Sequence, residues 1–209
     1  LSSLSAVMKV LRHEYVYGFL IFVSLGFVTI LYSLDVLIIK RLFSPEVAGL
    51  YSGVITIARI IYFVTGSISG VLISSVTLRD DRGTNKKSLI KALFLILGIG
   101  GGVLIFFILF PTFVISLMVG SKYAAYAHFL PVMSFYLFLV SLLNLFVSYL
   151  LAIRSYSLFP ITLIGVLVLL GSLYLHHETV DAVLLSFTLS TGVALVLSAV
   201  KVFSYNHQK

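Results

Sequence analysis

The chain has 209 residues, of which 60% are apolar and 10% charged, with a formal net charge of +7 and a mean hydropathy of +1.17. A soluble domain is roughly half apolar and a quarter charged, so much of this apolar surface must face lipid. That excludes a soluble enzyme, a disordered chain and a disulfide-stapled secreted domain. Cysteine is absent, which removes disulfides, thiolate metal sites and a cysteine nucleophile.

The apolar residues fall into long runs. A helix needs about 20 of them to cross a bilayer core, and six runs qualify. They predict spans over about 15–39, 47–78, 90–119, 129–153, 158–175 and 181–203. β-barrel strands would be shorter and would alternate polar with apolar. The first run is too long for a signal-peptide core and no small-residue cleavage pattern follows it. The expected fold is therefore all-α, an integral membrane bundle of six transmembrane helices over residues 15–203. Ahead of it, Leu1, Leu4, Met8 and Leu11 recur at helical spacing beside Lys9, Arg12, His13 and Glu14. That pattern fits an amphipathic cytoplasmic interfacial segment over 1–14, or an extension of the first helix. Residues 204–209 form a tail.

The positive charge lies between the runs, where membrane topology places it, and is not read as a nucleic-acid footprint. Lys9, Arg12, Arg79, Arg82, Lys86, Lys87, Lys91, Arg154, Lys201 and Lys209 fall on one side, ten in all, against Lys40, Arg41 and Lys122, three, on the other. The positive-inside rule then puts both termini in the cytoplasm and Gly120–Tyr126 and His176–Glu178 outside.

Charge inside lipid costs about 3 kcal/mol on insertion scales, so an intramembrane ion marks a functional site by default. Arg59 lies about eleven residues into the second run, roughly 16 Å along a helix. Ser52 and Thr56 precede it, and Phe63, Gly66, Gly70 and Ser74 follow at helical spacing. Small residues let helices approach closely, so the face of Thr56, Arg59, Phe63, Gly66 and Gly70 is expected to point into the bundle or to line a cavity. Arg59 either contacts an anionic ligand or forms a structural ion pair with Asp35 of the first span. Asp35 in turn is either an interfacial residue tied to Lys40 and Arg41 or a cavity carboxylate. In the fourth run Ser141, Asn144 and Ser148 share a face, suited to interhelical hydrogen bonds or to sugar hydroxyls. In the sixth, Ser186, Ser190, Ala194 and Ser198 form a close-packing seam.

Gly98, Gly100, Gly101 and Gly102 weaken the third run and Pro111 interrupts it. The result is either a static bend or a gate. His176, His177, Glu178 and Asp181 cluster in a loop too short for three neighbours to face one metal. No metal site, nucleophile–base pair or phosphate-binding glycine loop is visible.

Several motifs resemble one family. Asp35-Val-Leu-Ile-Ile-Lys-Arg-Leu-Phe-Ser-Pro-Glu-Val-Ala-Gly-Leu-Tyr51, the following Ala58-Arg59, Phe110-Pro111 with Leu117-Met-Val-Gly-Ser-Lys-Tyr123, and Leu150-Leu-Ala152 are similar, in order and spacing, to the second half of bacterial polysaccharide flippases. These are the O-antigen-type oligosaccharide flippases of the multidrug/oligosaccharidyl-lipid/polysaccharide exporter superfamily. The likeness runs over residues 10 to about 200. It implies a fold of two six-helix bundles, of which this chain is the C-terminal one. An N-terminal six-helix bundle missing from this chain would be its partner, and the chain has half the family's length.

The implied function is to translocate undecaprenyl-pyrophosphate-linked oligosaccharide units across the bacterial cytoplasmic (inner) membrane, for surface polysaccharide biosynthesis. That is transport, not enzymatic catalysis, and it needs no cofactor and no nucleic acid. Its partners are the lipid-linked oligosaccharide and membrane lipids. The expected substrate-binding residues are Arg59, Asp35, Thr56 and Asn144. The alternatives are a cation-coupled drug or metabolite exporter of the same superfamily and a non-transporting membrane scaffold.

Overall fold

The computed structural model describes the backbone of residues 2–76 and 82–207, and the side chains of 15–76 and 83–204. The amphipathic pattern over 1–14, the cations Arg79 and Lys209, and the last residues of the second predicted span lie outside those limits. Every described element is helical, and no strand occurs among the described residues. Five helices are long and apolar enough to cross a membrane, and six if one bent pair counts as a single span. The chain is a multi-pass membrane protein built as a helical bundle.

Helix α1 runs unbroken from Ser2 to Leu42, so its backbone carries the expected interfacial segment straight into the first span. Ser44 then accepts from the Val47 N–H at 3.4 Å and Pro45 opens α2 (Pro45–Ala58), a start signal in which the proline's missing donor costs nothing. Arg59 separates α2 from α3 (Ile60–Ser75), and the pair bends by 43° there. No proline or glycine sits at the bend. One turn before it, the Thr56 hydroxyl donates to Ser52 O at 2.6 Å and Ser52 to Ala48 O at 2.7 Å, bonds to the preceding turn that bend helices.

The third predicted span is shifted and broken. Helix α4 (Arg82–Leu95) passes through a π turn at Ile96–Gly100 into α5 (Gly101–Leu109), and the crossing stretch is Gly83–Leu109. The π turn falls on the first two of the four glycines, where backbone preference for an α-helix is weakest. Phe110 leaves helical geometry at φ −128° and ψ 46°, and Pro111 opens a separate short helix, α6 (Pro111–Met118). The residues after Leu109 therefore form a turn and a new helix rather than the end of the span, because Pro111 disfavours helical geometry at the residue before it.

Helix α7 (Phe129–Ala152) is the hub. It packs against α1, α2, α3, α5 and α9, and Leu145 to Leu151 are all buried. A helix apolar on every side belongs inside a bundle. Helices α8 (Leu158–Leu175) and α9 (Val180–His207) complete the chain. The Ser186, Ser190, Ala194 and Ser198 seam of α9 is fully buried, and Ser190 donates to Gly165 O on α8 at 2.8 Å.

Two tyrosines strap α1 to α7. Tyr17 donates to Leu151 O at 2.6 Å near one end, and Tyr136 donates to Leu31 O nearer the other. The Tyr17 strap meets the C-terminus of α7, where Ser155 N–H bonds Leu150 O at 2.9 Å and Arg154 N–H bonds Leu151 O at 3.0 Å. That double bond is a Schellman ending. Arg154 fills its left-handed position at φ 52°, usually a glycine's place, with its guanidinium 5.6 Å from the Tyr17 ring.

Candidate functional site

The only ion pair among the described residues joins Arg59 to Asp35. Asp35 is completely buried. Its Oδ1 accepts from Arg59 Nη2 at 3.2 Å and its Oδ2 from the Tyr51 hydroxyl at 2.8 Å. Arg59 Nη2 also donates to Tyr32 O at 3.1 Å, and the guanidinium lies 4.9 Å from the Tyr32 ring centre. The Tyr32 ring packs in turn on Tyr62 at 4.6 Å. A buried carboxylate without partners would be costly, and here both oxygens are satisfied.

The guanidinium is less completely used. Both of its hydrogen bonds leave from Nη2, Nε is buried without a partner, and the side chain is 18% exposed. It holds donors in reserve at the edge of an open surface.

Of the two readings open for each residue, the structure forms the ion pair. Asp35 is not tied to Lys40 and Arg41. At 100° per residue Lys40 and Arg41 point well away from Asp35, both are exposed, and Ile39, one turn beyond Asp35, is buried.

Of the two facings expected for the second span, the one into this bundle is corrected. Ala48, Tyr51, Val54, Ile55, Ile57, Ala58, Ile61, Thr65, Ser69 and Leu72 are the buried residues of α2 and α3. Thr56, Phe63 and Gly70 are exposed and Gly66 is half-exposed. The small-residue face lies opposite the one that meets α7. Among the described residues, no neighbouring atom comes within 4 Å of a Cβ built on Gly49, Gly66 or Gly70. Small residues do favour close approach, but none of the described helices approaches this face.

Four hydroxyls on α1 and α2 share one bonding pattern. Thr29 and Ser33 on α1 and Ser52 and Thr56 on α2 each donate to the carbonyl four residues earlier, at 2.6 to 2.9 Å. Their donors are spent on their own helices, and their lone pairs remain free to accept. The surface around Arg59 therefore offers hydrogen-bond acceptors and one cation.

Of the four residues expected to bind substrate, Arg59 and Asp35 are joined directly. Thr56 lies one turn from Arg59 on the same open face. Asn144 is half-buried on α7, against which the opposite side of α3 packs, and no hydrogen bond links it to the pair. Its stripe partners Ser141 and Ser148 are buried, and Ser141 donates to Leu137 O within α7. Tyr51 and Tyr32 join the site although no motif in the sequence marks them as site residues. A tyrosine inside a membrane span needs a partner for its hydroxyl, a signal that could have found Tyr51. Nothing in the sequence marks the Tyr32 carbonyl. In the loop before α9, His177 turns back onto Leu173 O at 3.1 Å, and no cluster of three or more metal-binding side chains forms among the described residues.

No family model, curated protein or solved structure matches the chain.

Proposed function

We propose that the chain is one six-helix half of a bacterial inner-membrane flippase that moves undecaprenyl-pyrophosphate-linked oligosaccharides, with both termini cytoplasmic. The observation that carries this reading is the open face of α2 and α3 around Arg59. A face that carries Thr56, Gly66 and Gly70 beside Phe63, with a guanidinium at its centre, suits a partly polar cavity better than a lipid contact. A second six-helix bundle would stand across that cavity.

The chemistry fits the cargo. A pyrophosphate carries at least two negative charges and loses hydration as it crosses. Arg59 offers the exposed part of its planar fork to such an anion, and charge-assisted bonds replace part of the lost water. Sugar hydroxyls are donors, and the free lone pairs of Thr29, Ser33, Ser52 and Thr56 are acceptors. Asp35 and Tyr51 would fix Arg59 in place between cargoes rather than bind the anion themselves. A cation-coupled exporter would need a carboxylate free to take the cation, whereas both oxygens of Asp35 are committed.

Export and abundance, measured together in the complete protein, test this. Arg59→Ala strips Asp35 of its counter-charge and should lower protein level. Adding Asp35→Asn should restore the level but not export of surface polysaccharide. Export restored along with abundance would reduce Arg59 to a structural role and end the proposal. Orientation is tested separately by thiol labelling in intact cells. A cysteine at Ser121 should react from outside and one at Ser88 should not.

A further inference from the structure

A groove of about 380 Å³ runs between α3 and α4, well away from the Asp35–Arg59 pair, and its lining includes Ile68, Val71, Leu72, Leu95, Ser88 and Lys91. Val71 and Leu95 are 67% and 52% exposed, so the groove opens outward along the bundle. Lys91 is its one charged residue, is exposed, and makes no ion pair among the described residues. Ser88 is half-buried on the same helix, and its hydroxyl has no hydrogen-bond partner among the described residues.

An apolar trough with one unpaired cation and one spare hydroxyl complements an amphiphile with an anionic head. The charge count selects among such amphiphiles. A phosphodiester lipid carries one negative charge and matches one lysine. A polyprenyl pyrophosphate carries at least two and would leave one uncompensated, because no second cation lines the groove among the described residues. We propose that this groove holds a monoanionic phospholipid of the bilayer, its phosphate on Lys91 and Ser88 and one acyl chain along Ile68, Val71, Leu72 and Leu95. The site is independent of the flippase reading. It would seal the seam between α3 and α4 with lipid.

The chain contains no tryptophan, so Leu95→Trp places a single fluorophore in the groove. The reconstituted chain would be titrated into phosphatidylcholine vesicles with either brominated phosphatidylglycerol or brominated phosphatidylcholine. Quenching should show about a fivefold preference for phosphatidylglycerol, the weight of one basic residue at an anionic membrane surface. Lys91→Gln should remove that preference, while Lys87→Gln on the same helix, outside the groove, should leave most of it. Equal quenching by the two lipids would overturn the proposal. So would a preference that survives Lys91→Gln, which would reflect general surface charge. Displacement of brominated phosphatidylglycerol by an equimolar polyprenyl pyrophosphate would also overturn it, since that lipid would then be the occupant.

Discussion

Two sets of glycines show how differently the two sides of this bundle are built. A Cβ on Gly165 of α8 would collide with the Phe27 ring of α1, its Cε1 at 2.9 Å, and one on Gly100 would meet Thr65 Cγ2 at 2.9 Å and the Phe138 ring at 3.2 Å. On α3, Gly66 and Gly70 have nothing within 4 Å among the described residues. The residue type is the same, but only the first set is used for packing. In lipid, helices associate through close contact rather than through the hydrophobic effect. Glycine without a neighbour therefore gains nothing for the bundle and lowers helix propensity. The glycines of α3 make sense as clearance for something outside this bundle.

The largest effect that would break this contrast lies at the ion pair, where the open face is anchored to the closed one. Removing one partner of a buried pair leaves the other uncompensated, a loss of about 3–5 kcal/mol. Arg59→Ala should therefore lower the melting temperature in detergent sharply, and Asp35→Asn in the same chain should recover most of the loss. A well-folded Arg59→Ala single variant would show that Asp35 does not need its partner.

Next in size is the packed glycine. Gly165→Val adds volume against a buried phenylalanine and should destabilise by about 1–3 kcal/mol, the usual cost of overpacking. Gly66→Ala and Gly70→Ala should change stability by no more than about 0.5 kcal/mol, or raise it slightly. If Gly66→Ala destabilised as much as Gly165→Val, the face would be covered after all. The smallest change concerns the strap between α1 and α7. Tyr17→Phe loses a bond to the Leu151 carbonyl and should cost about 0.5–1.5 kcal/mol, read as a modest shift in the same melt.

The sequence shows the helices well because lipid imposes length and polarity on each one separately. It also places the break at Pro111, where the backbone chemistry is local. The bend at Arg59 has no such marker, since neither proline nor glycine is there, and hydroxyl bonds to the previous turn are visible only once the helix is built. Without that bend the Arg59–Asp35 pair stays one option among several. Periodicity collects Thr56, Arg59, Phe63, Gly66 and Gly70 onto one face. It does not say which neighbour covers that face, and here α7 covers the opposite one. Asn144 illustrates the same limit. Its spacing with Ser141 and Ser148 is real, yet the stripe belongs to the hub helix rather than to the surface around Arg59.

On the proposed function, the open face of α2 and α3 meets water in a cavity and not lipid. Because the chain has no cysteine, single cysteines can be placed at Thr56, at Gly66 and at Leu167, an outward residue of α8 that is 61% exposed. The decisive measurement is the rate at which a small charged thiol reagent modifies each in native membranes, relative to a loop cysteine at Ser121. Thr56→Cys and Gly66→Cys should react within about tenfold of Ser121→Cys while Leu167→Cys stays inert, since a charged reagent is excluded from hydrocarbon. Thr56→Cys and Gly66→Cys as unreactive as Leu167→Cys would contradict it.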